Sequence, residues 1–472
     1  MKFKFPKLMI EHLWVLLTLG ACFGYLCVQP VDQLDFWHYL KAGDVMLCSH
    51  KFLTVDQFTF TIQGMKYINV HWLSEILYSI FYRLGGIQLI ILVHAIVVTS
   101  SFGLLLLVVN DKVKDLRISS FAVFIAFILS STNLTLRPQS FSILFFILTL
   151  YLLKRKCLWL IPFVILLWTN VHAAFMLGLV LIGIEWITSL KRSLFIVLLI
   201  SFLTTLCNPY GYKFYQLVFS VEAVSRKLCH ISEWETPSFH EPTGLRFYLA
   251  LLVLVALHNF RKTRLSWNDL LIFLFFTASA FSSLRTILWW SIISAPLFAV
   301  AIKEVMPVKT TISTPSRITT FANWCIVILF CGYLISFLPW VKAINPILPK
   351  NKKLLLVEDT PVLISEKLKN ISSIHNIFND YSWGSYFIWA LRNDQKVFYD
   401  PRAAIFPPKV LSDYFKVSNG DRDWQEVLEN YKVDALVLNK EQQEQLISQV
   451  LISNKWKQIY EDKLGYIFVR GL

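Results

Sequence analysis

The sequence predicts a polytopic α-helical membrane protein with about 11 transmembrane helices and a C-terminal soluble α/β domain. Three observations carry this. Of 472 residues 56% are hydrophobic and only 16% charged, a balance unlike that of soluble domains. The apolar residues fall in helix-length blocks separated by short polar or basic breaks. After about residue 345 the blocks stop, and apolar and charged residues mix.

By length, the spans are 12–29, 87–109, 118–136, 139–153, 158–170, 171–190, 193–208, 245–259, 270–283, 286–302 and 320–341. Every second break is basic: Lys2/Lys4/Lys7, Lys112/Lys114/Arg117, Lys154/Arg155/Lys156, Lys191/Arg192, Arg261/Lys262/Arg264 and Lys303/Lys309/Arg317. The positive-inside rule then places the N-terminus and these breaks in the cytoplasm. Two loops, 30–75 and 209–244, face outward together with the tail, dividing the chain into a membrane domain, 1–345, and an extracytoplasmic domain, 346–472. Because much of the net charge of +14 sits in these breaks, it reads as topology; the expected surroundings are membrane lipids, and no nucleic acid is a partner. Leu19-Gly-Ala-Cys22 has the look of a lipoprotein cleavage site, but hydrophobicity continues to Val28 and further spans follow, so residues 12–29 read as a first anchor helix. The eight cysteines lie mostly in spans without a Cys-x-x-Cys pair, which suits neither a metal site nor a disulfide framework.

In the tail, strand patterns at 373–378, 396–400, 433–438, 456–460 and 465–469 are mostly separated by helical patterns at 385–391, 409–415, 424–431 and 441–452. This alternation predicts a small domain with a partly parallel sheet. Asp380-Tyr-Ser-Trp-Gly384 carries a single glycine, so no Gly-rich phosphate loop follows a strand.

Ionisable groups at membrane depth are costly, about 2.5 to 3.5 kcal/mol each on insertion scales, and so carry functional information. The span at 158–170 has thirteen residues; at about 1.5 Å each they fall short of a core of about 30 Å. Asn170 and His172 should then lie in a recess below the outer surface, either lining a site or only capping and joining two helices. Arg137 and Arg285 stand at two further outer turns, against the inside bias. Snorkelling to headgroups explains either alone; two together point to an anionic ligand.

The first outer loop is the denser site. A surface helix is expected from Asp35-Phe-Trp-His38 to Cys48, and a second from Val70-His-Trp-Leu-Ser-Glu75 to Arg83. Interfacial anchoring accounts for Trp37, Trp72, Tyr78 and Tyr82. It does not account for Asp32, Asp35, His38, Asp56, His71 and Glu75 in one loop, a set that suits catalysis or binding.

This loop, with Asp35-Phe-Trp-His38, Gly43, Asp56 and Asn69-Val-His-Trp-Leu-Ser-Glu75, resembles that of bacterial integral-membrane proteins of the GT-C glycosyltransferase superfamily, near the mannosyltransferase and aminoarabinose-transferase type. Arg137-Pro-Gln139, Trp168-Thr-Asn-Val-His172, Asn208-Pro-Tyr-Gly211, Glu233-Trp234, Trp383-Gly384 and Asp400-Pro-Arg402 extend the resemblance to one bacterial branch over nearly the whole chain. GT-C enzymes use a polyprenyl-phosphate-linked sugar and a catalytic carboxylate in the first outer loop. Asp35 matches that position, with Asp32 and then Asp56 as alternatives. The resemblance implies transfer of a sugar to an extracytoplasmic glycan, lipid or protein acceptor, with Arg137, His172 or Arg285 facing the lipid phosphate. Asp56, His71 or Glu75 would orient the acceptor or hold a divalent cation, and His38, Asn170 and Glu233 complete the expected substrate-binding set. The rival expectation is a non-catalytic transporter or assembly factor for lipid-linked saccharides. Transporters tend toward internal repeats and mid-span charges, whereas here no repeat is clear and the charges gather at outer loops.

Overall fold

The computed structural model describes residues 7–32, 34–216, 232–259, 264–305 and 316–471. Part of the second outer loop, Cys229 and the basic positions Lys2, Lys4, Arg261, Lys262 and Lys309 lie outside these residues. The described chain is mainly helical and falls into two compact units. One comprises the described residues of Met1–Gln29, Ile87–Gly211 and Ser225–Lys353; the other, those of Pro30–Gly86, Tyr212–Val224 and Leu354–Leu472. Composition marks a boundary near 346, close to the one observed after Lys353, but the first outer loop groups with the tail rather than with the spans.

In chain order the first helices are α1 (Ile10–Val28), α2 (Phe36–Ser49), α3 (Trp72–Val113), α4 (Leu116–Ser130), α5 (Gln139–Arg155), α6 (Ile161–Val171), α7 (Phe175–Ser189) and α8 (Arg192–Thr204). There follow α9 (Pro242–Asn259), α10 (Trp267–Ser282), α11 (Ile287–Val305) and α12 (Arg317–Ile335). A helix thus overlaps each predicted span, but among the described residues only six helical segments, Ile10–Val28, Trp72–Val113, Leu116–Asn133, Pro242–Asn259, Leu284–Val305 and Ile318–Ile335, are long and apolar enough to cross a membrane. Leu158–Val171, Phe175–Ser189, Arg192–Thr204 and Trp267–Ser282 are apolar but shorter, and α5 has 17 residues.

Side-chain caps set several starts. Asp115 accepts the backbone N–H of Arg117 (2.9 Å) and Ile118 (3.2 Å) at α4, and Ser266 and Ser316 do the same for Asp269 and Thr319 at α10 and α12. In the first unit α4 packs on α11, and both helices bury small residues, Ser119, Ser120, Ala122 and Ala126 on one and Ser291, Ser294, Ala295 and Ala299 on the other. Small side chains let two backbones approach closely where hydrophobic burial gives no advantage.

Helix α3 is 42 residues long, broken at Gly85–Gly86, where Gly86 has φ 63°. At ~1.5 Å per residue the whole would run to about 63 Å, twice a hydrocarbon core. The membrane-spanning part is therefore read as Ile87 onward, and residues 72–84 form the second helix of the outer loop. Only glycine accepts the Gly86 conformation readily.

The second unit is built on a five-stranded mixed sheet of order β2-β1-β3-β5-β4. Its strands are β1 (Asn376–Asn379), β2 (Lys396–Val397), β3 (Ala435–Asn439), β4 (Trp456–Glu461) and β5 (Gly465–Arg470). Strands β2, β1 and β3 run parallel, whereas β5 pairs antiparallel with both β3 and β4. The helices are α13 (Val362–Lys369), α14 (Gly384–Ala390), α15 (Pro408–Ser418), α16 (Trp424–Asn430) and α17 (Glu444–Ile452), close to the positions the sequence predicts. Strand β3 reads Ala-Leu-Val-Leu with all four buried, the continuous apolar run of a strand covered on both faces. The outer loop joins this sheet: Thr59 bridges Val397 in parallel, Phe60 N–H donates to the Val397 carbonyl (3.3 Å), and Thr61 Oγ1 donates to the Phe398 carbonyl (2.7 Å). At its start, Val31 N–H donates to the Leu355 carbonyl and Val357 N–H to the Val31 carbonyl.

Candidate active site

Two groups of polar residues emerge, one in each unit. In the second unit, the chain enters α2 through Asp32 and Asp35. Asp32 closes a tight turn, its Oδ1 accepting Leu34 N–H (2.9 Å) and its carbonyl accepting Trp37 Nε1–H (2.9 Å). Asp35 is the half-buried N-cap residue of α2, but its side chain makes no capping bond. The cap comes from the tail: His38 N–H donates to Ser385 Oγ at 2.9 Å. Trp37, 1% exposed, packs on Tyr386 (centroids 5.1 Å) and Trp389 (4.6 Å). Helix α2 lies so close to residues 72–84 that a Cβ on Gly43 would stand 2.0 Å from the Glu75 carbonyl oxygen. Glycine at 43 is a steric requirement of this contact.

Asp56 lies in a buried charge cluster. Its Oδ2 accepts Thr59 Oγ1–H (2.7 Å) and the N–H groups of Phe58 (3.3 Å) and Thr59 (3.0 Å), and its Oδ1 pairs with Arg402 Nη2 at 2.7 Å. Arg402 also grips Asp400, Nε to Oδ1 at 2.9 Å and Nη2 to Oδ2 at 2.7 Å, and stacks near Phe58 and Tyr67. The three side chains are at most 6% exposed. Burial works to lower the Arg402 pKa, but Asp400 and Asp56 outweigh it and raise it well above the ordinary value. Next to it, Glu75 is fully buried, and burial pushes its carboxyl up to about 8 against a hydrogen bond from Asn69 and the charge of Arg402. His38 is buried as well; desolvation, then Arg402 and His71, hold its pKa well below the usual imidazole value. It is therefore a neutral ring at neutral pH. His38 Nδ1, Glu75 Oε1 and Arg402 Nη1 are buried without a hydrogen-bond partner among the described residues. His71 N–H is held by Asn69 Oδ1 (3.0 Å), and its ring packs edge-on against Tyr39.

In the first unit, Arg137 and Arg285 meet on one segment. Both Glu233 oxygens accept from Arg137 Nη1 at 2.7 Å, and Arg285 lies over the Trp234 ring at 5.4 Å. Burial works to raise the Glu233 pKa, but Arg137 and Arg285 hold the carboxyl below its usual range. Leu284 N–H donates to the Glu235 carbonyl and Asn133 Nδ2 to the Leu284 carbonyl, so backbone ties fix the same junction. Both guanidiniums thus act on the Glu233 carboxylate. His172 and Asn170 are placed elsewhere. His172 Nδ1 is bonded to Ser142 Oγ (2.9 Å), which in turn accepts Trp168 Nε1–H, while Asn170 Nδ2 donates to the carbonyls of Leu166 and Cys207. These bonds are those of a helix junction.

The structure therefore brings His38, Asp56, His71 and Glu75 into one unit with Asp35, and Arg137 and Arg285 onto Glu233-Trp234, while Asn170 bonds the carbonyls of Leu166 and Cys207 and His172 bonds Ser142. Sequence reasoning gave no role to Ser385 or Arg402. The signal for Arg402 was an Asp-x-Arg triplet directly after an apolar strand, a pattern suited to a buried charge pair. Among the described residues no three His, Cys, Asp or Glu side chains form a cation site, so no residue is assigned to the divalent cation that the resemblance admits.

Solved structures share this architecture. The oligosaccharyltransferase of Archaeoglobus fulgidus, tethered to an acceptor peptide with the NVT sequon, aligns with TM-score 0.59 at 12% identity over 97% of this chain and 74% of that one. Its apo form gives 0.60 at 12% identity over 96% and 74%. The mycobacterial arabinofuranosyltransferase AftD gives 0.55 at 12% identity over 99% and 42%. No family model and no curated protein matches the sequence. At this identity the likeness is one of fold, and the chain has the fold of the GT-C membrane glycosyltransferases.

Proposed function

We propose that the chain is a glycosyltransferase of a bacterial inner membrane, moving a sugar from a polyprenyl-phosphate carrier to an extracytoplasmic glycan, lipid or protein. The observation that carries this is the GT-C fold over nearly the whole chain, joined to an acidic first loop. Nucleotide sugars are scarce outside the inner membrane, so an outward-facing transferase needs a donor carried by lipid.

Asp35 is the proposed base. It matches the position of the family's catalytic carboxylate, while Asp32 closes its turn and Asp56 is buried in its pair with Arg402. Asp35 takes the proton of the acceptor hydroxyl as its oxygen bonds to the anomeric carbon and the bond from that carbon to the phosphate oxygen breaks. The lipid phosphate leaves with the electron pair. In the first unit, Arg137 and Arg285, which meet Glu233 and Trp234, are proposed to bind an anionic lipid phosphate. His38 as a neutral ring, with His71 and Glu75, is proposed to orient the acceptor. Asp56 is proposed to hold the loop rather than to react.

Thin-layer analysis of lipid-linked sugars in a deletion strain tests the reading. Accumulation of one polyprenyl-phosphate sugar, reversed by the wild-type gene and not by Asp35→Asn, is the expected result. An unchanged lipid profile would overturn it.

A further inference from the structure

The tail of a membrane transferase is readily pictured as an appendage that handles the acceptor. Here it builds the start of the helix that carries Asp35. A helix leaves its first backbone N–H groups without partners, and the N-cap residue normally supplies an acceptor from its own side chain. At α2 the N-cap residue is Asp35, whose carboxylate makes no such bond. The acceptor is Ser385 Oγ, on α14 and 347 residues away in sequence, at 2.9 Å from His38 N. Both atoms are buried, so water does not substitute.

The same helix fixes the rotation of α2. Trp37 packs against both the Tyr386 and Trp389 rings, which also meet each other, and Trp389 meets Tyr82 of the second loop helix. Further along the loop, Arg402 pins Asp56, and Thr59 to Thr61 extend the sheet edge at Val397 and Phe398. Loop and tail thus share one core, with Trp37 and Trp383 both about 1% exposed.

We infer that Ser385 is a positioning residue for Asp35: its hydroxyl takes over the cap of α2 and leaves the Asp35 carboxylate out of that role. The inference rests on the reading of Asp35 as the base. If Asp35 had to cap its own helix, its side chain would turn toward the backbone N–H groups of residues 37 and 38 and away from an acceptor.

The test uses the full chain in lipid nanodiscs, with Ser385→Ala, Ser385→Thr and wild type compared in two assays. The first is amide hydrogen exchange, which needs no substrate. In Ser385→Ala the amides of residues 36–40 should exchange faster by roughly 2- to 30-fold, the factor equivalent to losing one helix cap, with Ala435–Asn439 unchanged. The second is transfer from a panel of polyprenyl-phosphate hexoses: Ser385→Ala should lower kcat about tenfold or more with donor KM unchanged, and Ser385→Thr should recover part of both effects. Unchanged exchange at 36–40 overturns the cap. Faster exchange throughout residues 354–471 overturns a positioning role in favour of general instability, and local loosening with full kcat overturns the link to Asp35. If wild type transfers no sugar from any donor, the proposed function fails, while the exchange result still decides whether Ser385 holds α2.

Discussion

Replacing Arg402 by glutamine removes the guanidinium that two buried carboxylates share. Asp56 is 1% exposed and Asp400 0%, and Arg402 reaches both, with Nη2 at 2.7 Å from each. Without the guanidinium, two desolvated negative charges face each other. Breaking a buried pair in this way costs about 3 to 5 kcal/mol, because the surviving charge loses its partner without regaining water. For a unit of 150 to 250 residues, 1 kcal/mol moves Tm by about 2 to 4 °C, so the expected loss is roughly 6 to 20 °C. Pulse proteolysis of the full chain at rising temperature, scored by survival of residues 354–471, measures it. Arg402→Lys should recover only part, since an ammonium is a point charge without the fork that serves two carboxylates. The surface pair Arg83–Asp44, about half exposed on both sides, is the control, and Arg83→Gln should leave the midpoint in place. A midpoint for Arg402→Gln within about 1 °C of wild type, against the expectation from pair breaking, would refute the reasoning and remove the cluster as the tie between loop and tail.

Other outcomes follow from the same geometry. The Glu75 carboxyl is raised from 4.5 to about 8 in the folded chain, so the native state keeps a proton that the unfolded chain loses, and wild-type stability falls as pH rises through that window. Glu75→Gln has no proton to lose; its Tm advantage over wild type should grow between pH 5 and pH 8, and a flat difference would contradict the burial of an ionisable group there. For the arginines, Arg137→Gln or Arg285→Gln should weaken binding of a polyprenyl-phosphate sugar by roughly ten- to a hundredfold or more, the worth of one charged contact of about 1.5 to 3 kcal/mol. Because Glu233 opposes the phosphate, Glu233→Gln should bind no more weakly than wild type; equal affinity in all variants would remove the shared phosphate site. Alkaline phosphatase fused after Leu472 should be active and after Lys156 inactive, and the reverse pattern would invert the topology.

Much of the fold is legible in the sequence because its signals are local. Each helix-length apolar block coincides with a helix, six of them with segments long and apolar enough to cross a membrane among the described residues, and in the tail the change of period from 3.6 to 2 finds all five strands within a few residues. Span lengths are less legible: several spans are shorter as helices than as apolar blocks, whereas the break at Gly85–Gly86 falls between the predicted loop helix and the predicted span. The partnership of loop and tail is invisible, because Asp56 and Arg402 are 346 residues apart and nothing near either one reports the other. Arg137 shows the same limit. Its place at a turn leads to the expectation of an anionic ligand, and the anion that the structure sets against it is Glu233 of the same chain. Asn170 and His172 are buried, as expected, and nothing local in the sequence reports their hydrogen bonds to Leu166, Cys207 and Ser142.

The central claim is that Asp35 removes the proton from the acceptor. Its most direct test is transfer by purified Asp35→Asn from polyprenyl-phosphate hexoses, with donor affinity and membrane insertion measured on the same preparation. The change keeps the size of the side chain and removes the base, so transfer should fall by about 10²- to 10⁴-fold, with donor affinity and insertion as in wild type and with Asp44→Asn, farther along α2, nearly unaffected. Full transfer by Asp35→Asn would contradict the claim.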